Sequence, residues 1–137
     1  MKKNLIIFDT TLSEINAKLS EKIKIAQHLD KLGVDVIQIG KIHKEKKTIE
    51  KISKQIEKPI LCVLSRCLKS DIKQADESLK CKKRRINLFI PTSDVLIKNK
   101  LKMTKEEVLK KAVQSVDFAK EKFDDIQFTF EDATRTD

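Results

Sequence analysis

The segment Ile60–Pro91, ILCVLSRCLKSDIKQADESLKCKKRRINLFIP, contains one complete strand–helix–strand repeat. Ile60-Leu61-Cys62-Val63-Leu64 is a continuous apolar run, the pattern of a strand buried on both faces. Ser70 is a residue type that caps helices, and Ile72, Ala75 and Leu79 follow it at helical spacing. Ile86 to Ile90 is a second apolar run, and Pro91 marks its end. Two buried strands separated by one helix are joined by a right-handed crossover and lie parallel.

The alternation extends in both directions. Upstream, Leu5-Ile6-Ile7-Phe8 is a short apolar strand. Ser20 then caps a helix whose stripe is Ile23, Ala26, Leu29 and Leu32, with Gly33 placed to end it. Val34 to Ile39 is a second strand, closed by Gly40, and Ile49, Ile52 and Ile56 form a helix stopped by Pro59. Downstream, Thr104 and Glu107 form a capping box that opens a long helix, with Val108, Ala112, Val116 and Ala119 facing inward. Ile126-Gln127-Phe128-Thr129-Phe130 is the fifth strand. Five strands alternate with four helices, which predicts an α/β fold with a parallel sheet. Periodicity leaves two closures open: a doubly wound sheet, or the first five strands of a barrel. A chain of 137 residues makes one domain, and a full (β/α)8 barrel needs about 250. A barrel reading is therefore a partial barrel.

Composition excludes several classes of function. The net charge is +9, but only four of the 30 basic residues are arginine and the lysines are scattered. Tyr and Trp are absent, and the six Phe do not interleave with basic clusters as a base-stacking surface would. The longest basic run, Lys82-Lys83-Arg84-Arg85, precedes a strand and is expected to be a solvated loop. A basic binding module for nucleic acid or a partner protein is the alternative reading, and nucleic acid is not favoured. Cys62, Cys67 and Cys81 are odd in number and form no CxxC pair, which argues against both a complete disulfide framework and a structural zinc site. No segment is long and apolar enough to span a membrane. Met1-Lys2-Lys3 has no cleavage signal after it, so a cytoplasmic protein is expected. With two glycines, the chain has neither a dinucleotide fingerprint nor a P-loop.

In either closure, function gathers at the carboxyl ends of the parallel strands. The polar residues at those ends are Asp9, Thr10, Thr11, Ser13 and Glu14, then Gln38, then Ser65 and Arg66. Thr92, Ser93 and Asp94 follow the fourth strand, and Glu131, Asp132, Arg135 and Asp137 the fifth. Carboxylates gathered on one rim repel unless a cation lies among them. A divalent metal is one such cation; helix capping and loop fixing are the structural roles open to the same residues.

Several blocks then carry a resemblance. Ile7-Phe8-Asp9-Thr10-Thr11-Leu12, Leu32-Gly33-Val34-Asp35-Val36-Ile37, Leu64-Ser65-Arg66-Cys67 and Phe89-Ile90-Pro91-Thr92-Ser93 occur in one order. Lys100-Leu101-Lys102-Met103-Thr104 and Glu131-Asp132-Ala133-Thr134-Arg135-Thr136 complete the series. Together they resemble the first part of the catalytic barrel of the 2-isopropylmalate and homocitrate synthase family, and most closely its isopropylmalate branch. The resemblance implies a partial TIM barrel over residues 1–137, with later strands and a regulatory region beyond. It implies an acyltransferase that condenses acetyl-CoA with 2-oxoisovalerate in leucine synthesis, forms homodimers, and uses a divalent metal (Mg, Mn or Zn) as Lewis acid.

The resemblance also assigns residues, and several depart from the pattern. The family's Leu-Arg-Asp-Gly-Glu-Gln reads Leu12-Ser13-Glu14-Ile15 here, so the arginine is Ser13 and the metal-binding position is Glu14. Glu-x-Gly-Phe-Pro reads Gln38-Ile39-Gly40-Lys41, and the substrate-facing histidine of the fourth strand is Asn87. Glu131 is the best-preserved functional position, expected to be catalytic. Arg66, Thr92 and Asn87 are expected to contact substrate. The family's His-x-His ligands belong to later strands, so the chain by itself is expected to be an inactive remnant that does not retain the metal.

Overall fold

A computed structural model describes residues 5–137; the Met1-Lys2-Lys3 opening lies outside them. The elements in chain order are β1 (Phe8–Asp9), α1 (Thr11–Glu14), α2 (Leu19–Leu32), β2 (Val36–Lys41), α3 (Ile42–Ser53), β3 (Ile60–Arg66) and α4 (Lys69–Ser78). They continue with β4 (Arg84–Pro91), α5 (Asp94–Leu96), a π-helical turn (Ile97–Leu101), α6 (Lys105–Lys120), β5 (Ile126–Glu131) and a 3-10 turn (Ala133–Arg135).

All five strands are parallel and stand in the order β1-β2-β3-β4-β5. This order decides the closure that periodicity left open. A doubly wound sheet reverses its strand order at a switch point, whereas an unreversed series of right-handed crossovers keeps its helices on one side and curls. The chain is a half-barrel of five parallel strands, a partial α/β barrel.

Alternation along the strands divides the sheet into two faces. Ile37, Ile39, Leu61, Val63, Ile86, Leu88 and Ile90 point outward and bury themselves with Ala26, Ile49, Ile52, Ile72, Ala75, Val108 and Ala119. This outer layer is the hydrophobic core. The concave face carries Gln38, Cys62, Leu64, Asn87, Phe89, Thr129 and Glu131, and most of its polar residues lie there.

The α6 capping box forms as expected: Glu107 N donates to Thr104 Oγ1 at 3.2 Å, and Thr104 N donates to Glu107 Oε2 at 2.8 Å. Gly33 ends α2 at φ 84°, in the left-handed region that favours glycine.

Other boundaries differ from expectation. β1 is two residues long, because Ile7 N donates to the Asp35 carboxylate at 2.7 Å instead of extending the ladder. Leu5, Ile6 and Ile7 are exposed, since β1 is a sheet edge. The α2 cap is Lys18 rather than Ser20, fixed by Lys18 N donating to Glu21 Oε2 at 2.8 Å. Leu32 is 78% exposed, and the buried stripe of α2 holds Lys22. The N-cap of α4 is Leu68, with Ser70 inside the helix. Helix α3 ends at Ser53, and Ile56 enters the core from the following loop. Arg84 and Arg85, expected in a solvated loop, lie in β4 and pair with Asp76 at 2.8 Å and Asp125 at 2.9 Å. The count of four helices omitted α1 and α5, each too short to show a period.

Candidate active site

The concave face is crossed by a line of uncharged side chains. Thr129 Oγ1 donates to Asn87 Oδ1 at 2.8 Å, Asn87 Nδ2 to Gln38 Oε1 at 3.1 Å, and Gln38 Nε2 to Ser13 Oγ at 2.8 Å. Ser13 Oγ lies 2.9 Å from the Thr10 carbonyl and 3.2 Å from Glu14 Oε1, two acceptors for its single proton. Every donor in the line points the same way, from β5 through β4 and β2 to α1. Aligned hydrogen bonds polarise one another in a low-dielectric setting. Gln38, Asn87 and Ser13 are all buried, and each bonds its neighbours in the line.

The rim above this line carries carboxylates, and Glu14, Glu131 and Asp132 each have a separate basic partner. The register of β2 shifts between Gln38 and Lys41, so that Gln38 faces Cys62 but Lys41 faces Leu64. This bulge turns Lys41 onto the concave side, where its Nζ lies 3.5 Å from Glu14 Oε1. Gly40 sits inside the bulge, and a Cβ there would meet Glu45 Oε2 at 2.9 Å. Glu45 in turn pairs with the buried Lys22, whose Nζ also donates to the Leu12 carbonyl at 2.9 Å. Lys100, from the π-helical turn, donates to both oxygens of Glu131 at 2.7 and 3.0 Å.

Asp132 has a left-handed backbone, φ 68°. Arg135 Nε and Ser93 Oγ both donate to its carboxylate, and these contacts hold it below the ordinary aspartate range. Arg66 grips Asp71 with Nε at 2.7 Å and Nη2 at 3.1 Å, which raises its already high pKa. Thr92 Oγ1 lies 2.7 Å from Thr136 Oγ1 and 3.4 Å from the Glu131 carbonyl.

Comparison with known proteins places this geometry. The family model described as HMGL-like matches residues 4–137. The chain belongs to the HMGL-like family. It is 41% identical to 2-isopropylmalate synthase 1 of Caldanaerobacter subterraneus subsp. tengcongensis over 98% of this chain and 36% of that protein. It is 42% identical to the 2-isopropylmalate synthase of Staphylococcus saprophyticus over 100% of this chain and 29% of that one. Against the Pyrococcus furiosus 2-isopropylmalate synthase the figures are 40%, 100% and 30%. The chain thus spans about a third of the length of these relatives.

On this HMGL-like scaffold the residues singled out from sequence fall into two sets. Ser13, Gln38 and Asn87 are joined in one hydrogen-bonded line, with Glu14 at its end. Arg66 and Glu131 line a single cavity, while Thr92 faces the far side of β5. Sequence reasoning missed Lys41, Lys100 and Thr129. Lys41 is aimed by a bulge, and Lys100 by a π-helical turn. Thr129 had only its place two residues before Glu131 to mark it.

The donors here do not fit a divalent ion. Glu14 is 60% exposed at its side chain and already shared between Ser13 and Lys41. Among the described residues no three His, Cys, Asp or Glu side chains converge, and a catalytic metal normally takes about three protein ligands. Cys62, Cys67 and Cys81 are free thiols. Burial pushes Cys62 up to about 12 and Cys67 up to about 11, away from the thiolate form that binds metal. Among the described residues no helix is long and apolar enough to cross a membrane.

Proposed function

We propose that this chain corresponds to the first five strands of a 2-isopropylmalate synthase barrel, and that by itself it does not condense acetyl-CoA with 2-oxoisovalerate. The observation that carries this reading is the Thr129–Asn87–Gln38–Ser13 line. Condensation requires a base to take a proton from the acetyl methyl group and a positive charge to stabilise the oxygen of the attacked ketone. Amides and hydroxyls neither titrate near neutral pH nor carry charge. The line also commits one N–H and the oxygen of each amide to a neighbouring side chain.

Two other rim groups, Glu131 and Thr92, are engaged as well. Glu131, the expected catalytic carboxylate, has both oxygens taken by Lys100. Arg66 keeps N–H groups beyond the two that Asp71 uses, and so remains able to hold an anion. Thr92 is occupied by Thr136. The divalent metal implied by the resemblance has no converging donor set among the described residues. The same reading gives a cytoplasmic setting and a homodimeric ancestor.

The test is release of CoA thiol by the isolated chain with acetyl-CoA and 2-oxoisovalerate, in Mg, Mn or Zn. The expected rate equals that with acetyl-CoA alone. Turnover dependent on 2-oxoisovalerate would overturn the reading.

A further inference from the structure

The loops leading into β3 (residues 54–59) and β4 (residues 79–83) border a cavity of about 490 Å³. It lies at the amino ends of the strands, the opposite end of the sheet from the candidate active site. Lys54, Lys80, Lys82 and Lys83 line it, and Glu57 is the one carboxylate in the lining. Among the described residues, none of these four ammoniums has a carboxylate within 4.0 Å. The seat beneath them is fixed. Leu79 anchors the second loop in the core, and the buried Ser53 Oγ accepts from Lys80 N at 3.3 Å. Lys83 Nζ donates to the Lys58 carbonyl at 2.9 Å, which ties the two loops together. Backbone held in place before a ligand arrives lowers the ordering cost of binding.

Lysines near a helix C-terminus commonly bond its last carbonyls, and α3 and α4 both end beside this cavity. Here those carbonyls have other donors. Gln55 N donates to the Ile52 carbonyl at 2.9 Å, and Gln55 Nε2 to that of Lys51 at 3.2 Å. Arg84 Nη1 donates to the Asp76 carbonyl at 3.3 Å. The Ser53 hydroxyl lies 3.1 Å from the Glu50 carbonyl and 3.0 Å from that of Ser78. The lysines are left over from helix capping. Each helix end still carries roughly half a negative charge, so four ammoniums against Glu57 and two such ends leave about two positive charges.

We propose that this cavity binds a dianionic phosphate group, free or as a monoester. Two uncompensated positive charges match a dianion and exceed what a single carboxylate needs. Phosphate oxygens accept several charge-assisted bonds at once, as a ring of ammoniums requires. No Leu, Ile, Val or aromatic residue lines the cavity, so it offers nothing to an apolar body or a stacked base. None of the residues on the concave face takes part. The site therefore stands whether or not the condensation reading above does.

The experiment is titration of the full chain with inorganic phosphate and with glycerol 2-phosphate, followed by proton–nitrogen NMR at matched ionic strength. The pH is 7.5, above the second phosphate pKa of about 6. Expected are saturable shifts of amides in residues 53–57 and 80–83, with acetate binding about tenfold more weakly or not at all. Saturable binding of either phosphate supports the proposal, and the tighter of the two identifies the source as free phosphate or an ester. The exposed double variant Lys80→Met/Lys82→Met should weaken binding about tenfold. Glu57→Gln removes the opposing carboxylate and should tighten it about threefold, a gain that a merely structural role would not produce. Three outcomes would overturn the proposal: no saturable shift with either phosphate, equal affinity for acetate, or an affinity unchanged in both variants.

Discussion

Lys41 Nζ lies 3.5 Å from Glu14 Oε1, and a bulge in β2 puts it there. An in-chain ammonium thus stands beside the one carboxylate that the resemblance assigned to a metal. The pair is partly exposed, 30% and 60% at the two side chains, and such pairs contribute at most about 1 kcal/mol. The missing ligands, more than the lysine, exclude tight binding. Calorimetric titration with Mn should give an affinity no tighter than about millimolar in both the wild type and Lys41→Ala. Micromolar binding by either protein would sink this account.

The neutral line on the concave face should be a stability element. Asn87→Ala leaves Gln38 Oε1 without its donor and Thr129 Oγ1 without its acceptor. A buried group stripped of its partner costs roughly 1–3 kcal/mol, so urea unfolding should show a lower midpoint with little change in slope. An unchanged midpoint would mean that water replaces the lost bonds.

Lys22 and Glu45 form a second buried device. Lys22 is 5% exposed at its side chain and Glu45 22%. Lys22→Met removes the charge but keeps the stem, stranding Glu45 and the Leu12 carbonyl. The expected cost is about 3 kcal/mol, reduced by water's access to Glu45. The double variant Lys22→Met/Glu45→Gln should recover part of it, because no buried charge is then left alone. Equal loss in the two variants would assign the effect to packing.

Acid should act partly through Asp132. Its pKa in the folded chain is lowered, chiefly by Arg135 and then by Ser93. The stabilisation is therefore full above the unfolded aspartate value of about 3.9 and is lost as pH falls through the lower folded value. Asp132→Asn should unfold at a urea midpoint that falls less between pH 5 and pH 2 than the wild-type midpoint does. Parallel pH profiles for the two proteins would show that this contact does not contribute.

Thiol chemistry should separate the cysteines. Burial raises all three, to about 12 for Cys62 and about 11 for Cys67. Cys81 is the one that is partly accessible. With a chromogenic disulfide at pH 8, Cys81 should react slowly and first, and the other two only when the protein is unfolded. Rapid modification of Cys62 in the native protein would contradict the buried placement.

Strands β2 to β5 were legible because each carries its outward apolar residues in a run, as Leu61 and Val63 do in β3. The α6 start was legible because Thr104 and Glu107 are a local pair. Features made by distant partners were not. Lys22 reads as a surface residue until Leu12 and Glu45 supply acceptors 10 and 23 residues away. The two-residue β1 depends on the side chain of Asp35, which takes a backbone donor of the strand. At the site, Glu14 and Glu131 could be located because they follow or end strands, and Asn87 because it stands inside the apolar run of β4. Their partners could not, because Lys41 is turned by a one-residue bulge and Lys100 reaches Glu131 across 31 residues.

The strand order β1-β2-β3-β4-β5 also governs how the molecule comes into being. Each strand pairs with the one synthesised just before it, and among the described residues no pairing joins β1 to β5. A βα unit leaving the ribosome therefore finds its docking edge already in place, and domains fold N-terminal part first during synthesis. The loops to be closed are one crossover long, and the entropy of closure grows with loop length. From β1 through β5, translation and folding can proceed in step, one unit at a time.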